Sequence, residues 1–431
     1  MLPLLPLLAL TTVQLLCTSC DNLTLNLPAY IEGGGTAGPV HVSAQRNGAL
    51  RQVGCWWYYD LPSYTNRTID SLVPRTCTFV DIGSACVFEV QANGSLSIAP
   101  QCVSQTESIV ADALRARRII PTLQFRWVLQ ASNPNFMAIL ESAEKSSRLV
   151  GEMASWARAH AAVANGWTLD YETHYNGNQT RAVRGLTRFL ADVKTRTGTG
   201  TNWWGGLYEM KNVADPAELQ PFIDYLETGD YFNDFGSYSA QLGWNPHIFE
   251  LRDVDELIDG YGYRKDQILL GVGLSSYSFM DVPSAVLQQC AYDGYLGCCP
   301  SCPGGIPPRG SYAADPRSHS SVGGNGHYAH LWDQTQADVL AGRAVKGRSN
   351  CTRGSYGPLS SYWIFYPSKA DAGQMGEVTY WNDYPDLDVF TRTAIERGYA
   401  GVFTWVATSD ALDWRVHKYL HAQLNNASHP R

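Results

Sequence analysis

The sequence has no excess of positive charge. Its 431 residues carry 32 Lys and Arg against 40 Asp and Glu, a formal net charge of -8. A chain balanced this way lacks the basic footprint of a nucleic-acid binder. Beyond a leucine-rich start it also lacks long apolar runs. After Met1 to Leu16 no segment holds enough uninterrupted apolar residues to cross a bilayer, and Asn425 to Arg431 is polar. Neither a membrane span nor a C-terminal anchor is expected. No Gly-rich nucleotide turn follows the first strand pattern, so the main sign of a dinucleotide fold is missing. His327 with His330 and His417 with His421 have metal-like spacings, but no Glu completes a metalloprotease pattern. Cys299-Pro300-Ser301-Cys302 has zinc-knuckle spacing without a second matched pair. No metal and no cofactor are expected.

What is present is ordinary globular material, 45% hydrophobic and 17% charged. It suffices for one large α/β domain or two smaller ones. Residues 1–20 read as a signal peptide: the apolar run is too short to span a membrane, and small residues surround Ser19 and Cys20. Export gives the 11 cysteines a meaning. Cys55, Cys77, Cys86 and Cys102 lie early, Cys290, Cys298, Cys299, Cys302 and Cys351 late, and in an oxidising compartment disulfides are the default. Acceptor patterns for N-glycans begin at Asn22, Asn66, Asn93, Asn178, Asn350 and Asn426. Together these point to a secreted or lysosomal glycoprotein.

Residues 21–51 carry a Gly33-Gly34-Gly35 break and no clear period, and read as a lead-in segment. From Val53 onward strands and helices alternate. Strand patterns fall at Val53–Asp60, Cys77–Val90, Ile119–Phe125, Asn165–Glu172, Asn202–Tyr208, Tyr231–Tyr238, Gln267–Leu274 and Ala400–Val406. Between them lie helical patterns at Ser104–Arg117, Phe136–Ala164, Arg181–Thr195 and Pro216–Leu226, with another at Ala411–Leu424. About eight such strands within roughly 350 residues predict a (β/α)8 TIM barrel over residues 52–425. Residues 278–360 break the alternation and read as a disulfide-rich insertion between strands 7 and 8.

The chemistry concentrates in Asn165-Gly166-Trp167-Thr168-Leu169-Asp170-Tyr171-Glu172. A period of two puts Thr168, Asp170 and Glu172 on one face, with two carboxylates at the strand's C-terminal end. That is where a barrel carries its catalytic groups. An acid held there can stay protonated through burial and a neighbouring carboxylate, as a general acid needs. For an arbitrary Asp-x-Glu, a structural pairing with Arg or backbone amides is the commoner reading. Trp57 and Trp204, in Trp pairs on the first and fifth strands, offer flat faces for sugar stacking.

This stretch resembles the signature of family-18 glycoside hydrolases, the chitinases and certain endo-β-N-acetylglucosaminidases. Gly166, Asp170 and Glu172 match it. Asn165 is an amide substitute for its first Asp, and Thr168 replaces its middle Asp. Gly236-Ser237-Tyr238-Ser239 is similar to the family's sixth-strand motif, with Tyr238 matching and Ser239 departing. Trp381-Asn382-Asp383-Tyr384 followed by Gly401-Val402-Phe403-Thr404-Trp405 resembles the approach to its eighth strand. The third-strand Ser-x-Gly-Gly motif is absent.

The resemblance implies retaining, substrate-assisted hydrolysis of β-1,4-linked N-acetylglucosamine in chitin, chito-oligosaccharides or an N-glycan core. Glu172 would be the general acid/base. Asp170 would orient the acetamide, Tyr238 would hydrogen-bond its oxygen, and Trp405 would floor the sugar. Trp57, Trp204 and Thr168 complete the expected site. Two alternatives stand beside this reading: a catalytically silent chitinase-like lectin, and a retaining barrel glycosidase with a carboxylate nucleophile such as Glu209.

Overall fold

The computed structural model describes residues 50–58, 68–83, 88–98, 103–131, 134–164, 166–171, 179–205, 215–229, 254–274, 278–283, 311–312, 332–351, 359–367 and 375–425. Eight parallel strands in it close on themselves. They are β1 (Gln52–Tyr58), β2 (Phe79–Gly83), β3 (Gln124–Gln130), β4 (Gly166–Tyr171), β5 (Thr201–Gly205), β6 (Ile223–Thr228), β7 (Ile268–Gly273) and β8 (Gly401–Trp405). Each pairs with the next, and β8 pairs back with β1. This is the (β/α)8 barrel that the alternation predicted.

Two cores follow from the period-two rule. Outward residues meet the helices: Trp167, Leu169 and Tyr171 of β4 join Phe189 and Leu190 of the helix Gln179–Thr197 in one large apolar cluster. Inward residues fill the barrel, where Trp56, Phe79, Val128, Leu269, Phe403 and Trp405 form a second, smaller cluster. No helix among the described residues is long and apolar enough to cross a membrane.

Several boundaries differ from expectation. The long helix read at Phe136–Ala164 is two, Pro134–Leu140 and Ala143–Ala159, because Ser142 leaves the helix and caps the second piece by accepting from the Lys145 N–H at 3.3 Å. The third strand begins after the Pro121-Thr122 turn rather than at Ile119, which ends a helix and is exposed.

The sixth strand is the largest correction. It runs over Ile223–Thr228, not Tyr231–Tyr238. Leu219, Phe222, Ile223 and Leu226 have helical spacing, but only Pro216–Leu219 is α-helical and a 3-10 turn at Gln220–Phe222 ends it. Pro221 lacks the N–H that a continuing helix needs.

An insertion does lie between β7 and β8. It is built on a five-stranded antiparallel sheet ordered 311–312, 278–283, 375–381, 359–367, 345–351. This sheet continues past residue 360 to Trp381. Cys290, Cys298, Cys299 and Cys302 lie outside the described residues. One disulfide is described, Cys55–Cys77, tying β1 to the segment leading into β2.

Candidate active site

One end of the barrel is plugged. Arg126 reaches from β3 to Asp224 at 2.7 Å and to the Gly200 carbonyl at 3.2 Å. Its guanidinium also lies over the Phe79 ring, which stacks on Tyr225. Phe79 and Tyr225 stand near the N-terminal ends of β2 and β6, so the plug closes the N-terminal end.

Above this plug the interior is polar. The Thr168 hydroxyl on β4 donates to Asp81 Oδ1 on β2. These strands are not neighbours, since β3 lies between them. The bond therefore crosses the barrel lumen and fixes Thr168 as inward-facing. Asp170, two residues on, shares that face and is 5% exposed. The polar row expected on β4 is thus an interior row. Glu172 follows in sequence but, like Asn165 and Tyr238, lies outside the described residues.

A carboxyl pair that the sequence reading missed faces this row. Glu227 on β6 and Asp81 on β2 are both fully buried, and each bears on the other's ionisation. Asn202 on β5 donates its Nδ2 hydrogen to Glu227 Oε1. Burial pushes the Asp81 carboxyl up to about 6, against the opposing pull of the Thr168 donor, of Arg126 and of Glu227. Glu227 is raised further, by burial first and by the neighbouring Asp81 charge second. Two carboxylates in contact without solvent cannot both ionise. The signal for Asp81 was present in the sequence, a lone acid inside the apolar run Phe79-Val80-Asp81-Ile82. Glu227 was hidden by the misplaced sixth strand.

The other expected site residues divide. Trp405 ends β8 on the inner face, in the cluster with Trp56 and Phe403, and is 7% exposed. Trp57 does not join it. It points outward and packs on Trp414 with ring centroids 5.7 Å apart, because alternation along β1 turns Trp56 inward instead. Trp204 pairs in backbone register with Asp170, and its side chain lies outside the described residues. Tyr238 follows the end of β6 at Thr228 by ten residues in sequence and lies outside the described residues. The structure therefore brings Thr168, Asp170 and Trp405 into one lumen, together with Asp81, Asn202 and Glu227.

This architecture is a divergent family-18 chitinase-like fold. A group IV chitinase from Ostrinia furnacalis matches with a TM-score of 0.66 at 9% identity, over 87% of this chain and 99% of that one. A class V chitinase from Nicotiana tobaccum gives 0.63 at 12% identity, over 87% and 99%. An immunomodulatory active chitinase from Trichuris suis gives 0.61 at 13%, over 87% and 98%. A mutant of the tobacco enzyme was solved in complex with NAG4, and a mutant of a Cycas revoluta class V chitinase in complex with (GlcNAc)3. No protein-family model matches the sequence, and comparison with curated proteins finds no match.

Proposed function

We infer that the protein is a retaining glycoside hydrolase of β-1,4-linked N-acetylglucosamine glycans, acting by substrate assistance. The observation that carries this reading is the inward row of Thr168 and Asp170 on β4 of a chitinase-like barrel, a strand that Glu172 follows directly in sequence. Glu172 protonates the leaving oxygen and then activates water. The substrate's own acetamide oxygen attacks the anomeric carbon, so the enzyme supplies no nucleophile. Asp170 holds the acetamide and stabilises the charge that develops on it. Trp405 offers its ring to the sugar. Tyr238, which follows β6 in the sequence, is the tyrosine assigned to hydrogen-bond the acetamide oxygen. The Cys55–Cys77 disulfide supports maturation in an oxidising compartment, in keeping with secretion.

The test is hydrolysis of a fluorogenic chitobioside and of a high-mannose glycopeptide. Glu172→Gln should lower kcat by about 10²–10⁴ while leaving oligosaccharide binding in place. Binding of chitotriose by wild type with no turnover of either substrate would instead make the protein a lectin. Cleavage of a substrate lacking the acetamide would favour a carboxylate nucleophile.

A further inference from the structure

Among the described residues, the carboxyl oxygens of Asp81 and Glu227 outnumber the donors that reach them. Asp81 Oδ1 receives Thr168 and Glu227 Oε1 receives Asn202, while Asp81 Oδ2 and Glu227 Oε2 receive no N–H or hydroxyl donor. Both oxygens are sealed from water. A buried acceptor left unsatisfied is destabilising, more so when it is charged. One proton placed between the two carboxyls satisfies both at once. We propose that Asp81 and Glu227 hold a single proton between them, and that this pair positions the catalytic row of β4 through the Thr168 hydroxyl. The positioning half rests on the reading of β4 as the catalytic strand.

The surroundings say which partner carries the proton. Asp81 faces the Thr168 donor from β4, Arg126 from β3 and Glu227 from β6. Glu227 faces Asn202 from β5, Arg126 from β3 and Asp81 from β2. Asp170 stands above on β4 and Tyr225 below on β6, while β1, β7 and β8 present Trp56, Leu269 and Phe403, which carry no charge. Burial raises both carboxyls; the Thr168 hydroxyl donated to Asp81 favours the ionised form there, and the Asp81 charge in turn favours neutral Glu227. Glu227 is the protonated member and donates from Oε2. Asp81 is the ionised member and takes two donors, one from Glu227 and one from Thr168. The hydroxyl hydrogen of Thr168 is thereby committed to Asp81. The position where the family signature has a carboxylate here carries a hydroxyl hydrogen-bonded to a carboxylate from another strand.

The assignment predicts an asymmetric pattern of rescue. Glutamine has the shape and polarity of a protonated glutamic acid: its oxygen can accept from Asn202 and its amide can donate to Asp81. Asparagine in place of Asp81 presents an amide hydrogen where Glu227 already donates. On the chitobioside, Glu227→Ala and Asp81→Ala should each lower kcat at least about tenfold with little change in KM, as misplacement of a reacting group does. Glu227→Gln should restore kcat to within about threefold of wild type, whereas Asp81→Asn should not rescue. Rescue by both amides, or by neither, overturns the assignment.

A second measurement needs no turnover. Infrared spectra taken across a pH titration should show a protonated carboxyl C=O band at neutral pH in wild type. That band should vanish in Glu227→Gln, and its persistence there overturns the shared proton. If wild type cleaves neither substrate, the hydrolase reading falls, and the rescue pattern is read in the Kd for chitotriose. There, weakening by Asp81→Asn but not by Glu227→Gln upholds the pair, and equal affinities sink it.

Discussion

On the outer side of the barrel wall, Asp410, His417 and Thr404 form a buried chain with no loose ends. Asp410 accepts from the backbone N–H groups of Ala411, Val416 and His417 and from His417 Nδ1 at 2.7 Å. His417 Nε2 meets the Thr404 hydroxyl at 2.8 Å, and that hydroxyl meets the Gly54 carbonyl at 3.1 Å. The order Asp, His, hydroxyl is that of a nucleophilic triad. Its setting is not: all three side chains are buried, and the Cys55–Cys77 disulfide lies against His417. On the inner side, Asp81, Glu227 and Asn202 are as deeply buried and hold unsatisfied oxygens. The comparison separates two uses of buried polarity. A network in which every polar side chain has a partner locks the C-terminal helix Arg415–Asn425 to β1 and β8. A network short of donors has to recruit a proton, and a proton can move with pH.

The outer network should break as stability. His417→Ala empties a fully buried site and strips Asp410 of a ring donor, which should cost about 3–5 kcal/mol in urea unfolding. kcat per folded molecule should stay at the wild-type value. A loss below about 1 kcal/mol, against the average mutation, would show that the chain Asp410–His417–Thr404 does not hold the helix. Next in size is the disulfide. Cys55 and Cys77 are 22 residues apart, so removing the bond with a Cys55→Ser/Cys77→Ser double variant should cost about 3 kcal/mol by loop-closure entropy. Activity measured well below the transition should be unaffected, which is the contrast with any change inside the lumen.

The two networks were not equally legible in the sequence. Alternation through Trp167, Leu169 and Tyr171 oriented β4 correctly, since a one-residue slip would bury the wrong face. The same rule could have told Trp56 from Trp57, but both are large and apolar, and period two alone does not say which face is the lumen. At β6 a helical spacing of apolar residues competed with a short strand, and the strand won because Pro221 stops the helix and Ile223 and Leu226 are needed against the outer core. That misreading concealed Glu227. The pair itself was out of reach. Asp81 and Glu227 meet only because opposite strands converge across a lumen, and closure of a barrel is not written in any local pattern. In the sequence His417 showed only a metal-like spacing with His421, and its complete burial comes from contacts with β8 and with Asp410.

The inner network should break as pH dependence, first in stability. Glu227 is raised well above the ordinary glutamate value by burial and by the Asp81 charge. Above about pH 4 the unfolded chain releases this proton while the folded chain keeps it. Wild-type stability therefore carries a contribution that is present at low pH and is lost as pH rises toward the folded value. The loss is about 1.4 kcal/mol per pH unit while the two states differ by one proton. Glu227→Gln has no such proton. Its stability relative to wild type should increase as the pH rises from 5 to 7 in urea unfolding. A constant difference over that interval would mean that Glu227 is ionised in the fold, which removes the contrast between the two networks.

The finest test replaces Thr168 itself. Thr168→Asp sets a third carboxyl against Asp81 in a space that already holds one proton between two acids. A like charge at that distance disfavours the ionised form of Asp81, so the group whose folded value lies at about 6 should titrate higher. Activity that requires ionised Asp81 falls as pH drops through that value. The acidic limb of the chitobioside profile should therefore move upward, by about one pH unit, with the alkaline limb unmoved. Thr168→Val separates charge from the hydroxyl. It keeps the shape and removes the donor to Asp81, so it should lower kcat and also raise the limb, since the ionised form loses a hydrogen bond that favoured it. Movement in the same direction by both variants ties the limb to Asp81 and to the bond it receives. Identical limbs in wild type and both variants would reduce Thr168 to packing and leave Asp170 to titrate independently of the pair beneath it.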